Sequence, residues 1–328
     1  MSESFSPTSS ANPAAKLRRW AVATVVMALV TVVMGALVTS KRAGMAFRDW
    51  PTSDGSFILT YNWLGDLFRD DKKFLEHGHR LAGMAIGLMS VILAVKLVRQ
   101  EPRRWMKFLG VLILCGVICQ GLLGGVRVLR DDQRVAMFHG FFAACVFSLM
   151  GIAVTALGRR WRNPLGDVAT CTEIDLDLAK PLAVGLVLLL SVQYLLGGQI
   201  RHHGSGLHEH LILGVVTFLA MIGNWLVARG SHSRWIQQSG SILAGFTLFQ
   251  VLLGFGAWVT KWGFAPVGYV ATVDSIDQVV VRTAHMVSGL GLFAMAVVHV
   301  VRVFRTGAVL QVTQVALPAT HSAMEGAS

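Results

Sequence analysis

The sequence predicts an all-α integral membrane protein whose eight transmembrane helices form two pseudo-symmetric four-helix bundles. Of its 328 residues, 54% are hydrophobic and only 14% are charged, and the mean hydropathy is +0.58. These values are too apolar for a soluble domain. Apolar runs of about 18 residues or more recur, and each is long enough to cross the hydrocarbon core of a bilayer. The two halves of the chain also repeat each other, which predicts two related bundles.

Eight apolar runs alternate with short polar segments, and each run is predicted to be one membrane span. The first run follows Lys16, Arg18 and Arg19 and is longer than the apolar core of a signal peptide. The predicted spans are Trp20–Val38, Leu81–Val98, Phe108–Val126, Val135–Leu157, Leu182–Ile200, Leu211–Ala228, Ile242–Thr260 and Val280–Val301. Because their number is even, both termini are expected on the same side of the membrane.

The basic residues indicate which side that is. They cluster in the N-terminal segment and in the loops after the even-numbered spans, and the positive-inside rule places such segments in the cytoplasm. The net charge of +11 is therefore interpreted as a topology signal and not as nucleic-acid binding. The expected location is a bacterial plasma membrane. The predicted divisions are a disordered cytoplasmic tail (1–19), an N-terminal half (20–157), a cytoplasmic linker (158–180), a C-terminal half (181–302) and a second cytoplasmic tail (303–328).

The internal repeat aligns chemically similar segments of the two halves. The aligned pairs are Gly35–Val38 with Gly197–Ile200, His79–Gly83 with His210–Gly214, and Gln120–Gly124 with Gln250–Gly254. His139 begins the fourth span and His285 lies near the beginning of the eighth. Each half therefore has one histidine on its second helix and one on its fourth. Of the four cysteines, Cys115 and Cys119 lack metal-binding spacing and are predicted to be small core residues.

The four histidines are the candidate metal-ligating residues. All lie near the beginning of an even-numbered span, so they are expected at one depth near the non-cytoplasmic face. Two neutral imidazoles facing each other inside a four-helix bundle suit the axial positions of a haem iron. The predicted pairs are His79 with His139 and His210 with His285, and His208 is a rival to His210. Zinc is disfavoured because neither cysteines nor an HExxH motif accompany the histidines.

Glu76 distinguishes the first half from the second. It precedes His79 by three residues, on the same helical face, whereas Leu207 occupies the aligned position before His210. A carboxylic acid at this depth can relay protons or stabilise positive charge. The alternative is an acid that is favoured at a helix N-terminus by the macrodipole. The asymmetry predicts that the first half performs chemistry and that the second half holds a cofactor.

The sequence resembles the haem A synthase family over roughly residues 20 to 301. The shared motifs are Glu76-x-x-His79-Arg80, Gln120–Gly125, Arg201–Leu207, Asp49-Trp50-Pro51 and the four histidines. The resemblance implies an eight-helix, two-fold repeated membrane enzyme that oxidises a methyl group of haem O to the formyl group of haem A, for cytochrome c oxidase. Some family members carry a cysteine pair in the first outer loop, whereas residues 41–73 of this chain contain none.

The resemblance also implies roles for individual residues. Glu76, His79 and His139 would act on the substrate haem, His210 and His285 would hold a resident haem b, and all four histidines would ligate haem iron. Expected partners are haem O, haem O synthase, the cytochrome c oxidase assembly machinery, an unidentified electron donor, the lipid bilayer and a further copy of the chain. Arg80, Arg127 and Arg201 are predicted to pair with haem propionates.

Two other functions remain open from the sequence. The first is a non-catalytic di-haem b-type cytochrome that carries electrons from quinol. The second is a transporter, since internal repeats are common in that class. Glu76 favours the enzyme, because an electron carrier needs two similar sites and this acid has no counterpart in the second half. The parallel orientation of the repeats and the position of the histidines near one face disfavour transport.

Overall fold

The computed structural model describes residues 13–162, 176–231 and 233–316. Within these ranges, eight helices are long and apolar enough to cross a membrane, which confirms the predicted fold class. They are α1 (Pro13–Ser40), α2 (Asp71–Gln100), α3 (Arg104–Arg130), α4 (Gln133–Ala156), α5 (Leu176–His203), α6 (Leu207–Gly230), α7 (Arg234–Trp262) and α8 (Ile276–Ala316). A short helix (Arg159–Arg162) follows α4, and two 3₁₀ turns (Trp63–Asp66 and Ala265–Val267) lie in the loops before α2 and α8.

The helices extend beyond the apolar runs that predict them. The side chain of Asp70 accepts hydrogen bonds from the main-chain N–H groups of Lys72 and Lys73, so α2 begins at a polar cap well before its apolar run. Asp132 caps α4 in the same way. His79 and His139 therefore lie inside regular helix rather than at its edge.

The predicted tails and linker are partly helical. Pro13 begins α1 inside the predicted N-terminal tail, and α8 continues to Ala316 inside the predicted C-terminal tail. Helical hydrogen bonds continue past the apolar stretch because polar residues also form helix, so the apolar run marks only the membrane core. Residues 1–12, 163–175, 232 and 317–328 lie outside the described ranges. They include Pro164, Cys171, Glu173, Asp175, His232 and His321.

Each half is a ring of four helices. In the first half, α1 and α3 both pack against α2 and α4, so α2 and α4 face each other across the bundle. In the second half, α5 and α7 both pack against α6 and α8 in the same way. The halves join where α4 packs against α5 and α8, and where α1 packs against α8. The histidine-bearing helices are therefore diagonal partners in both bundles.

The packed core fills the part of each bundle away from the four histidines. In the first half it includes Leu97, Met106 and Leu157, all at most 2% exposed. A second cluster joins Ala144 of α4 to Leu290 of α8, so the two halves share one packed interface. Apolar side chains such as Phe108, Leu188 and Ile212 are more than 60% exposed. Such a perimeter is expected of a protein surrounded by lipid.

Cys115 and Cys119 correct one sequence-based prediction. Both are exposed on α3 and neither forms a disulfide, so they face the perimeter rather than the core. Small apolar residues do not distinguish the two environments, because the lipid around a membrane helix is as apolar as the protein interior.

Candidate functional site

The imidazole of each predicted ligand packs against a glycine on the preceding helix. The four pairs are Gly35 with His79, Gly124 with His139, Gly197 with His210, and Gly254 with His285. A Cβ added at any of these glycines would lie between 2.8 and 3.5 Å from the Cε1 atom of the histidine. A Cβ at Gly35, Gly124 or Gly254 would crowd the ring, whereas one at Gly197 would make an ordinary van der Waals contact. The sequence alone did not identify the histidine rings as the neighbours of these glycines.

A glutamine lies one turn before three of these glycines and binds the helix that carries the histidine. Each Nε2 atom donates to the main-chain carbonyl of the histidine, and the pairs are Gln120 with His139 at 2.8 Å, Gln193 with His210 at 2.9 Å, and Gln250 with His285 at 2.9 Å. At the remaining histidine, His79, Thr31 occupies the position equivalent to these glutamines, one turn before Gly35. Its carbonyl oxygen lies 3.1 Å from Nδ1 of His79, and its hydroxyl donates to the carbonyl of Ala82 at 3.1 Å. The surroundings of His79 therefore differ from those of the other three histidines.

In the second half, His210 and His285 face each other. Their ring centroids are 6.4 Å apart and their planes are inclined by 83°. Two bonds of about 2 Å from imidazole nitrogens to one metal ion, extended by the radius of each ring, give a centroid separation of about 6 Å. The Nδ1 atoms of both rings are buried without a hydrogen-bond partner in the described part of the chain. The geometry therefore fits a shared metal ion, whereas His208 is exposed.

In the first half, His79 and His139 come from the diagonal helices α2 and α4. Nδ1 of His139 is buried without a partner in the described residues, whereas Nδ1 of His79 contacts the Thr31 carbonyl. The described ranges contain no group of three or more histidine, cysteine, aspartate or glutamate side chains that could hold a metal ion. The imidazoles occur in pairs, which is the donor set of a haem iron with two axial histidines.

Glu76 is buried, and both of its carboxylate oxygens accept hydrogen bonds. Its Oε1 atom accepts a hydrogen bond from Nη2 of Arg80 at 2.8 Å, and its Oε2 atom accepts the N–H of Phe47 at 3.1 Å. Arg80 also donates to the carbonyls of Asp49 at 3.0 Å and Thr52 at 2.6 Å. The acid and the arginine therefore clamp the first interhelical loop (residues 41–70) onto α2. Arg80, predicted as a propionate partner, binds this loop instead.

His77 is a residue whose importance the sequence did not reveal. It is 1% exposed, and its Nδ1 atom lies 3.0 Å from the hydroxyl of Ser53. Its ring packs against Phe47, Tyr61 and Trp63. It therefore forms the core of the loop above α2. The sequence shows only that His77 follows Glu76, and this position does not distinguish a packed histidine from an exposed one.

The Asp49-Trp50-Pro51 motif orders the same loop. Burial alone would raise the pKa of Asp49, but hydrogen bonds from the Thr52 hydroxyl and from the N–H groups of Gly55 and Asp54 outweigh burial, and the net pKa lies below its usual value. The Trp50 ring packs closely on Gly125 of α3. The loop thus bridges α2 and α3.

Comparisons with known proteins agree with this architecture. The sequence profile of a family described as cytochrome oxidase assembly protein matches residues 2–71 and 66–210. Heme A synthase of Symbiobacterium thermophilum is 30% identical over 203 residues, which cover 58% of this chain and 61% of that protein. Heme A synthase of Allorhizobium ampelinum is 32% identical over 134 residues, which cover 39% of this chain and 36% of that protein.

A third relative, heme A synthase of Oceanobacillus iheyensis, is 28% identical over 127 residues, which cover 37% of this chain and 38% of that protein. The three alignments therefore span between 36% and 61% of the relatives they match. The family match contains His79 and His139 and ends at His210. Structural evidence for a role of His285 comes from its contact with His210.

Proposed function

The chain belongs to the cytochrome oxidase assembly protein family whose profile it matches, and from this premise we propose that it is a haem A synthase. The proposed reaction oxidises a methyl group of haem O to a formyl group, which yields haem A. The observation that carries the proposal is the pair of histidine sites with unlike surroundings. Only the first site has the Glu76–Arg80 clamp and Thr31 in place of a glutamine.

In the proposal, the second half holds a resident haem b between His210 and His285. Three features support this role: the 6.4 Å separation of the rings, the uncommitted Nδ1 atoms and the glycines that leave room for the imidazoles. Gln193 and Gln250 fix the main chain at each ligand. When bound, this haem supplies one-electron redox chemistry. The protein residues hold the two rings at a fixed distance and keep other groups away from them.

The first half is proposed to bind the substrate between His79 and His139. The Thr31 carbonyl accepts a hydrogen bond from Nδ1 of His79 when that nitrogen carries the proton, which orients the ring and leaves Nε2 for the iron. Glu76 is proposed to provide the negative charge of this site, since its carboxylate is buried among the donors that hold the loop.

The remaining roles follow from the same proposal. The product would serve cytochrome c oxidase, haem O synthase would supply the substrate, and a separate donor would provide electrons. The plasma membrane is the proposed location, with both termini in the cytoplasm and both histidine pairs near the outer face. This orientation rests on the positive-inside rule.

Analysis of the bound pigment tests the proposal. The full-length protein would be produced together with a haem O synthase, purified, and its haems extracted and separated by chromatography. A haem A synthase is expected to carry haem b together with haem O or haem A. A His79→Ala variant should retain haem b and lose the second pigment. Haem b alone in both proteins would instead identify a non-catalytic di-haem cytochrome and would refute the enzyme assignment.

A further inference from the structure

A row of three tryptophans lies at the end of the molecule opposite the four histidines. The ring centroids are 5.8 Å apart between Trp105 and Trp161, and 6.3 Å apart between Trp161 and Trp235. Trp105 is in the first turn of α3, Trp161 is in the short helix after α4, and Trp235 is in the first turn of α7. The row therefore joins the first half to the second. Trp105 is 42% exposed and Trp235 is 7% exposed, so the row runs from the perimeter into the protein.

Two arginines of α8 lie over this row. The Cζ atom of Arg305 is 5.2 Å from the ring centroid of Trp161, and the Cζ atom of Arg302 is 5.4 Å from that of Trp235. The two arginines are three residues apart, which places them on one face of the helix. Stacking on an indole ring stabilises a guanidinium group and fixes its plane, but it does not use the N–H donors at the edge of that plane.

The donors of these two arginines lack a counter-charge. The Nε atoms of Arg302 and Arg305 are buried without a hydrogen-bond partner in the described part of the chain. The ion pairs between described residues include neither arginine. By contrast, Arg103, which stacks on Trp105 at the exposed end of the row, is paired with Glu101 at 2.7 Å. A buried charge is costly unless it is paired, so the two arginines favour an anionic ligand.

The surroundings of the arginines indicate what kind of anion fits. Trp105 and Phe108 are 42% and 68% exposed on the perimeter of α3, and Phe304, between the two arginines in the sequence, is 46% exposed. A ligand at this place meets guanidinium groups on one side and lipid-facing apolar side chains on the other. Tryptophans in membrane proteins lie at the level of the lipid headgroups, and basic pockets between membrane helices bind anionic headgroups.

We propose that Arg302 and Arg305 bind the phosphate of an anionic phospholipid, whose acyl chains lie along the perimeter beside Trp105 and Phe108. Guanidinium groups bind phosphate oxygens through paired, charge-assisted hydrogen bonds. Because Trp161 belongs to the first half and the arginines to the second, the bound lipid connects the two halves at this end. The inference does not depend on the proposed haem chemistry. In the proposed orientation, the site lies in the cytoplasmic leaflet.

A comparison of an anionic with a zwitterionic lipid tests the inference. The full chain would be purified in a non-ionic detergent, depleted of lipid, and titrated with a short-chain phosphatidylglycerol and with the phosphatidylcholine of the same chain length. Native mass spectrometry would count the bound lipids, with inorganic phosphate added as a competitor. The same titrations would be made with Arg302→Gln, Arg305→Gln and the control Arg229→Gln. Arg229 stacks on Trp225 at 5.2 Å at the same end of the molecule, but it is exposed.

The native chain is expected to bind one phosphatidylglycerol more tightly than phosphatidylcholine by about tenfold or more, the value of one charge-assisted hydrogen bond. Either cluster variant should remove most of this preference, whereas Arg229→Gln should preserve it. Millimolar phosphate should not displace the lipid, because it lacks the apolar chains that contact the perimeter.

Photolabelling of the native chain locates the site even if the glutamine variants do not fold. A phosphatidylglycerol with a photoreactive group next to its headgroup should label the peptide that contains Trp105 or the one that contains Trp161. Excess unlabelled phosphatidylglycerol should prevent this labelling, and phosphatidylcholine should not.

Four outcomes would overturn the inference. Equal affinities for the two lipids in the native chain would show that the arginines do not select an anionic headgroup. An unchanged preference in both cluster variants would place the lipid site elsewhere, and so would photolabelling confined to other peptides. Complete displacement by millimolar phosphate would identify a site for a free anion and would refute the lipid assignment.

Discussion

The Cε1 atom of His285 lies 3.1 Å from the position that a Cβ of residue 254 would occupy. Gly254 is therefore required for space rather than for backbone freedom, since it lies inside the regular helix α7. The same relationship recurs at the three other histidines. The repeated unit of this fold is thus a pair formed by a glycine and a histidine on consecutive helices.

A Gly254→Ala substitution is expected to lower the haem b content of the purified protein. The added methyl group forces the His285 ring to move by a few tenths of an ångström, and the second ligand then loses its alignment with His210. Gly245→Ala on the same helix is the matched control, because no atom lies within 4 Å of its added Cβ. Both changes should stabilise the helix itself by about 1 kcal/mol. Equal haem b content in the two variants would contradict this packing argument.

Replacing His210 or His285 with methionine is expected to reduce the haem b content, measured by the pyridine haemochrome spectrum. The residue at each position would remain large enough to fill the site, but the imidazole ligand would be lost. His208→Ala should have no effect, since His208 is exposed while His210 faces His285. Loss of haem b in the His208 variant alone would move the ligand by two residues and refute the assignment of His210.

A Glu76→Gln substitution is expected to block product formation and to leave haem b bound. Glutamine can still accept the hydrogen bond from the Phe47 N–H, but it removes the charge that pairs with Arg80. Breaking a buried ion pair from one side costs about 3–5 kcal/mol, so the loop must be monitored as well. Asp71→Asn, an exposed acid at the beginning of the same helix, is the control for loss of a carboxylate.

Limited proteolysis of the loop separates the two roles of Glu76. If Glu76 serves chemistry, the Gln variant should lose haem A formation while the loop between residues 41 and 70 stays as resistant as in the native protein. If Glu76 serves only as a clamp, the loop should become protease-sensitive and activity should fall in parallel. Haem A formation at the native rate would show that the acid is dispensable for the reaction.

The elements that the sequence predicted well are those set by local composition. The eight spans follow from apolar runs, and the histidine positions follow from their recurrence at helix beginnings. The clamp depends on Phe47, whose N–H binds Glu76, and on Asp49, whose carbonyl binds Arg80, and both reach α2 only when the loop folds back. Neither spacing nor hydropathy records such contacts between distant residues. The neighbour of Gly35 is likewise set by helix packing, so the sequence indicated only that a small residue was present.

The orientation in the membrane is testable by thiol labelling, and the structure shows which residues are suited to it. Ser53, an obvious loop position in the sequence, is fully buried and bound to His77, so a cysteine there would escape labelling in either orientation. Thr60 and Gln100 are both exposed and lie at opposite ends of the first bundle. They are therefore the matched pair for this experiment.

In a chain whose four native cysteines have been replaced, Thr60→Cys is expected to react with a membrane-impermeant maleimide in intact cells, whereas Gln100→Cys should react only after lysis. The basic residues after the even-numbered helices require this result if the positive-inside rule governs insertion. Both histidine pairs lie toward the Thr60 end, because each histidine is near the beginning of its helix. Labelling of Gln100→Cys alone in intact cells would place both histidine pairs on the cytoplasmic side and would refute the proposed orientation.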